Sequence, residues 1–194
     1  MINKFFRRAI VAFGVFCSVG SVAAQSTAGS TTQGASSPSA LVTPQARGPN
    51  AIDTLSKAAQ DAGVRSCRPL ADRVNQYLIG NAPSSGVLFA APENANARVF
   101  SSMVELESGQ GVTYVSANFA PYGDSGCGVA YDAVTYWPES CADVATKVLK
   151  ELRPMGTLGK GIAMLDGGPA MRMFLMPAGT GCVQIKKELV YLYR

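Results

Sequence analysis

Gly123-Asp124-Ser125-Gly126 has the residue order of a hydrolase nucleophile loop, in which an imidazole takes the serine proton. The chain has 194 residues and no histidine, so that base is missing and the string reads as a turn between Pro121 and Cys127. The same absence removes Cys-His catalysis, His-containing zinc sites and any side chain that ordinarily titrates near neutrality. A lysine-assisted serine is the one enzymatic route left to this loop.

Other residue groupings imply other chemistry. Met164, Met171, Met173 and Met176 lie close together, and thioethers in an exported protein can hold Cu(I). Strand alternation puts Met171 and Met173 on one face and Met176 on the other, which favours core filling. Glu105 and Glu107 share a strand face, the arrangement a carboxylate hydrolase would use, although such a face is commonly just the wet side of a sheet. Gly156-Thr157-Leu158-Gly159-Lys160-Gly161 lacks phosphate-loop spacing and leads into a strand. Tyr122, Tyr136, Trp137, Tyr191 and Tyr193 fall near strand ends, where some pack inward and the rest form a contact surface. From these groups we expect no catalytic, cofactor-binding or metal site.

The first 24 residues read as an export signal: a basic start (Lys4, Arg7, Arg8), an apolar run from Ala9 to Val19, and Val22-Ala23-Ala24 before Gln25. Cleavage after Ala24 removes Cys17 and leaves no stable membrane anchor. Residues 25–50, rich in Ser, Thr, Gln and Pro, read as a disordered linker, and 51–194 as one domain. The chain carries 17 Lys+Arg against 13 Asp+Glu, and three cations lie in the signal, so the mature charge is 14 minus 13, or +1. That charge gives nucleic-acid binding no support. Cys67, Cys127, Cys141 and Cys182 remain, an even number without a C-x-x-C pair, and read as two disulfides of a periplasmic or extracellular protein.

The elements that hold these residues follow from periodicity. Ile52, Leu55, Ala58, Ala59 and Ala62 make one helical stripe ending at Gly63, and Leu70, Val74, Tyr77 and Leu78 a second between Pro69 and Gly80. Period-two patterns then predict strands over 86–91, 97–107, 112–119 and 129–137. A helix opens at Ser140, with Asp143 completing a capping box and Pro154 ending it. Strands follow over 161–165, 170–176 and 182–193. In the last of these Val183, Ile185, Leu189 and Tyr191 are expected to face inward, with Val190 and Leu192 on the opposite side, covered by the early helices. The pattern gives an α+β fold: a single antiparallel β-sheet with helices packed on one face, two N-terminal helices, one helix between two strand meanders, and disulfide staples. No internal repeat is read. One long strand separates Cys127 from Cys141 by about 30 Å, so they do not pair with each other. Cys67 with Cys127 and Cys141 with Cys182 is favoured, and Cys67 with Cys141 and Cys127 with Cys182 stays open.

The functional expectation is a non-enzymatic binding or assembly module of the periplasm or cell surface with a protein partner in the cell envelope. The alternatives are a carboxylate-based envelope hydrolase and methionine-based copper handling.

Overall fold

The stripe beginning at Ile52 forms α1 (Ala51–Asp61), which buries Ala51, Leu55, Ala58 and Ala59. It ends where Gly63 takes φ +84°: the Val64 N–H donates to the Ala59 carbonyl and the Gly63 N–H to that of Gln60, the paired bonds of a glycine-terminated helix. Next, α2 (Arg68–Ile79) carries Pro69 in its first turn, where a missing N–H costs nothing, and stops at Gly80. The computed structural model describes residues 41–42, 46–47, 51–109, 111–122 and 126–190. The expected signal, Gly123-Asp124-Ser125, Tyr191, Leu192 and Tyr193 lie outside the described residues.

The strands are β1 (Leu41–Val42), β2 (Ala46–Arg47), β3 (Ser84–Ala90), β4 (Phe100–Ser108), β5 (Gly111–Tyr122), β6 (Gly126–Trp137), β7 (Arg153–Leu158), β8 (Ile162–Asp166), β9 (Met171–Ala178) and β10 (Gly181–Val190). They form one antiparallel sheet in the order β1-β3-β4-β5-β6-β10-β9-β8-β7, with β2 also on β3. Thus the sheet reaches back before residue 51: two short segments of the stretch read as linker pair with β3.

The second meander has four strands, not three. Helix α3 (Cys141–Asp143) starts as expected, with the Ser140 hydroxyl accepting from the Asp143 N–H, and continues as a π-helical stretch over Val144–Val148. It stops at Leu149, before Pro154, which lies in β7. A strand there tolerates proline because β7 is the last of the sheet, and a register shift at Met155 loosens the pairing further. The apolar pattern from Val144 to Leu152 extends a helical signal that the backbone abandons after one wide turn.

Topology also supplies the repeat that periodicity missed. A helix followed by a four-strand meander occurs twice, β3 to β6 and β7 to β10, and the two fourth strands meet at the centre. Each half carries the same staple. Cys67 caps α2 and bonds Cys127, the second residue of β6; Cys141 opens α3 and bonds Cys182, the second residue of β10. A proline faces each strand cysteine, Pro121 opposite Cys127 and Pro177 opposite Cys182. In sequence these are Pro121-Tyr122-Gly123-Asp124-Ser125-Gly126-Cys127 and Pro177-Ala178-Gly179-Thr180-Gly181-Cys182. The offset from Cys127 to Cys182 equals the 55 residues separating Asp132 from Lys187, which face each other across the β6–β10 seam. An approximate two-fold axis therefore passes through that pair.

The core divides along the halves. Leu55, Leu70, Val74, Leu88, Phe100, Val104, Phe119 and Tyr131 belong to one cluster, which Val190 joins. Phe100 and Phe119 stack with ring centroids 4.8 Å apart. The buried Ser102 hydroxyl donates to Asn75 of α2 at 2.8 Å. Val144, Leu165, Met173, Leu175 and Cys182 form the second cluster, with Trp137 and Leu149 against it.

The pairing has a direct check. Peptide mapping without reduction should yield Cys67 joined to Cys127 and Cys141 joined to Cys182, whose Cα atoms lie 5.2 and 4.9 Å apart. Replacing Cys141 and Cys182 together by Ala should cost about 2 to 4 kcal/mol in chemical unfolding. Recovery of a Cys67–Cys141 peptide would contradict the fold.

Candidate interaction surface

Register sorts the strand residues onto two faces, and β10 shows how. Its Glu188 pairs with Tyr131, and its Val190 with Val129, both members of the first cluster. Gln184, Lys186, Glu188 and Val190 therefore point to the cluster side, while Val183, Ile185, Lys187 and Leu189 point away, with Leu189 43% exposed. This reverses the expected inward face of the last strand. Its polar residues are the ones turned inward because a polar network waits for them there. Val190 packs against the cluster that includes α1 and α2, as expected, and Leu192 lies outside the described residues.

That network sits on the cluster side of the seam. Tyr131 donates its hydroxyl to Glu188 at 2.5 Å, Lys186 donates to the same hydroxyl at 2.7 Å, and Lys186 and Glu188 pair at 2.7 Å. Burial, reinforced by the bond to Glu188, pushes Tyr131 up to about 12. Burial pulls Lys186 down, but Glu188 and Tyr131 outweigh it and raise the ammonium to about 12. Burial raises Glu188, yet the bonds from Lys186 and Tyr131 leave it below its ordinary value. Each group is fixed more firmly in its neutral-pH protonation state, the opposite of what general acid–base catalysis requires. The triad is cross-strand mortar. A small cavity of about 260 Å³ beside it is lined by Arg73, Val74, Tyr77, Glu188 and Val190.

The other face carries three rows across the strands. Asp132, Lys187, Arg172, Asp166 and Arg153 align as register partners. Lys187 bonds Asp132 at 2.9 Å, and Asp166 binds Arg153 at 2.7 Å and Arg172 at 3.1 Å. The Asp166 carboxyl is held below the usual carboxylate range first by the Gly168 N–H, then by Arg153 and Arg172 acting against burial. Next comes an apolar row of Tyr114, Val134, Ile185, Phe174 and Met164, and beyond it Tyr136, Val183 and Met176. Tyr114 is 46%, Tyr136 52% and Met176 37% exposed. On the far side of the charged row lies a hollow of about 540 Å³, whose lining includes Val99, Asn118, Ala120, Gly128, Ala130 and Leu189.

The other candidate groups are scattered over this framework. Met171 and Met173 lie on the cluster side, whereas Met164 and Met176 lie on the far face, so the four thioethers do not converge. Glu105 and Glu107 share the far face of β4, both exposed. The segment from Gly156 to Gly161 forms the second half of β7 and the turn after it, exposed throughout. Tyr122 and Tyr136 are exposed and Trp137 packs against the second cluster, donating to Gln184 at 3.0 Å. Sequence reading missed both the triad and the charged row, because each forms only through strands far apart in the chain.

The triad contributes a loss of stability on the alkaline side. Between pH 10 and 12 the unfolded chain releases the Tyr131 and Lys186 protons that the folded chain keeps, so stability is full below about pH 10 and falls as pH rises through the window. For Glu188 the contribution is present above the ordinary carboxylate value and fades as pH falls through its lowered one. Tyr131→Phe should cost about 1 to 3 kcal/mol at pH 7 and flatten the alkaline loss measured by thermal unfolding. No protein-family model, curated protein or solved structure matches this chain.

Proposed function

We propose that the protein is an exported, non-enzymatic binding or assembly module of the periplasm or cell surface, and that it meets a protein partner with the sheet face turned away from its helices. In this reading all three helices cover one face, and the other face is the working surface. The observation that carries it is the exposure of Tyr114, Tyr136 and Met176 in rows beside a charged row. Scattered apolar side chains are ordinary on a protein surface, but contiguous rows on an open sheet face mark a contact.

Two disulfides belong to an oxidising, non-cytoplasmic compartment. No helix among the described residues is long and apolar enough to cross a membrane. The signal segment supplies the route: export by the general secretory pathway. The proton-holding character of the triad supports a role without chemistry.

Two measurements test this reading. Protein recovered from the envelope fraction should have an intact mass beginning at Gln25; a cytoplasmic product beginning at Met1 would contradict export. A photo-crosslinking residue placed at Tyr136 in living cells should give a discrete protein adduct, and the same residue at the exposed Gln60 of α1 should not. Adducts at Gln60 alone would move the contact to the helical side.

A further inference from the structure

The approximate two-fold axis makes each half of the sheet a control for the other. An offset of 55 residues relates β6 to β10, as the Asp132–Lys187 pair marks. The β9–β10 hairpin is one residue shorter than the β5–β6 hairpin, so Pro121 matches Pro177. Asn118 then corresponds to Phe174, Ala120 to Met176, Gly128 to Val183 and Ala130 to Ile185. All eight sit on the face turned away from the two clusters. In the first half these positions hold small or polar residues and line the hollow together with Val99, Tyr122 and Leu189. In the second half they hold bulky apolar ones. Pairing and register are met in both, so the fold does not require the bulk of Phe174, Met176, Val183 and Ile185. Apolar area that the fold does not need, gathered into one half-buried or exposed patch, is the mark of a contact surface.

Charge beside this patch narrows the ligand. Arg153 and Arg172 share the single carboxylate of Asp166, which also accepts the Gly168 N–H at 3.0 Å. Lys187 is matched by Asp132. The row thus holds three cations, Arg153, Arg172 and Lys187, against two carboxylates, and one positive charge is uncompensated along the border of the apolar rows. A carboxylate placed there gains a charge-assisted partner.

We propose that the far face of the second half, centred on Phe174, Met176 and Ile185 and bordered by Arg172 and Arg153, binds a segment of a protein partner in which apolar side chains stand next to carboxylates. This rests on the reading of the far face as a contact surface and names its occupant. The probe is an acetylated, amidated heptapeptide alternating Asp with Leu and Phe, titrated into the full, isotope-labelled chain and followed by amide chemical shifts. Shifts should concentrate at Phe174, Met176, Val183 and Ile185. Replacing Asp by Lys in the peptide should weaken binding at least about tenfold.

The decisive variant exchanges residues for their counterparts: Phe174→Asn, Met176→Ala and Ile185→Ala together. It should keep its thermal transition, because the first half folds with those residues, and lose at least about tenfold in affinity. Met176→Ala alone, at an exposed position, should weaken binding without touching stability. The proposal is overturned if the acidic peptide leaves these amides unmoved or shifts those around Asn118 and Ala130. It is also overturned if the Lys peptide binds equally well, if the triple variant unfolds, or if phosphatidylglycerol vesicles bind where the peptide does not. Concentration-dependent self-association abolished by the triple variant would assign the face to a second copy. Crosslinks at Tyr136 alongside any of these failures would retain the contact surface and reject this occupant.

Discussion

Everything in this molecule depends on the register of one strand pair, β6 with β10. Because side chains alternate between faces, fixing Lys187 opposite Asp132 decides the direction of every residue on both strands. A slip of one residue would send Lys186 and Glu188 to the far face and bring Lys187 and Leu189 against Tyr131. The network of Tyr131, Lys186 and Glu188 penalises that slip, since its bonds of 2.5 to 2.7 Å form in one register only. The ion pair between Lys187 and Asp132 does the same on the other face.

Two disulfides extend this control outward. Each fastens a helix start to the second residue of a central strand, so α2 and α3 are located relative to the seam before any apolar packing is counted. The core can then be modest. It consists of two clusters with a polar network between them, and many of its members are alanine or valine. Separations of 60 and 41 residues place both crosslinks across long loops, where constraint of the unfolded chain is greatest.

Local signals carried much of the architecture. Gly63, Pro69, Gly80 and Ser140 mark helix ends through backbone chemistry that acts within a few residues, and the structure follows them. Antiparallel meanders likewise follow from alternation and short glycine turns. What the sequence hid is non-local. Alternation along β10 separates two sets of residues without saying which faces the core, and counting apolar side chains chose the wrong one because the inward set includes Lys186 and Glu188. Pro154 ended a helix on paper but rests in an edge strand, where no neighbour needs its N–H. The duplication was written in the matched strings from Pro121 to Cys127 and Pro177 to Cys182, yet a difference of one residue in turn length conceals it from a search at fixed period. The surface itself is assembled from β5 to β10, and no contiguous stretch contains it.

The account stands on which side chains face solvent, and hydroxyl-radical footprinting of the purified chain reads that directly. Met176 and Tyr136 should be modified rapidly, whereas Met173 and Tyr131, 4% and 1% exposed, should be protected by the clusters above them. Rapid modification of Met173 and Tyr131 with protection of Met176 and Tyr136 would mean that the faces are reversed and the proposed contact surface is core.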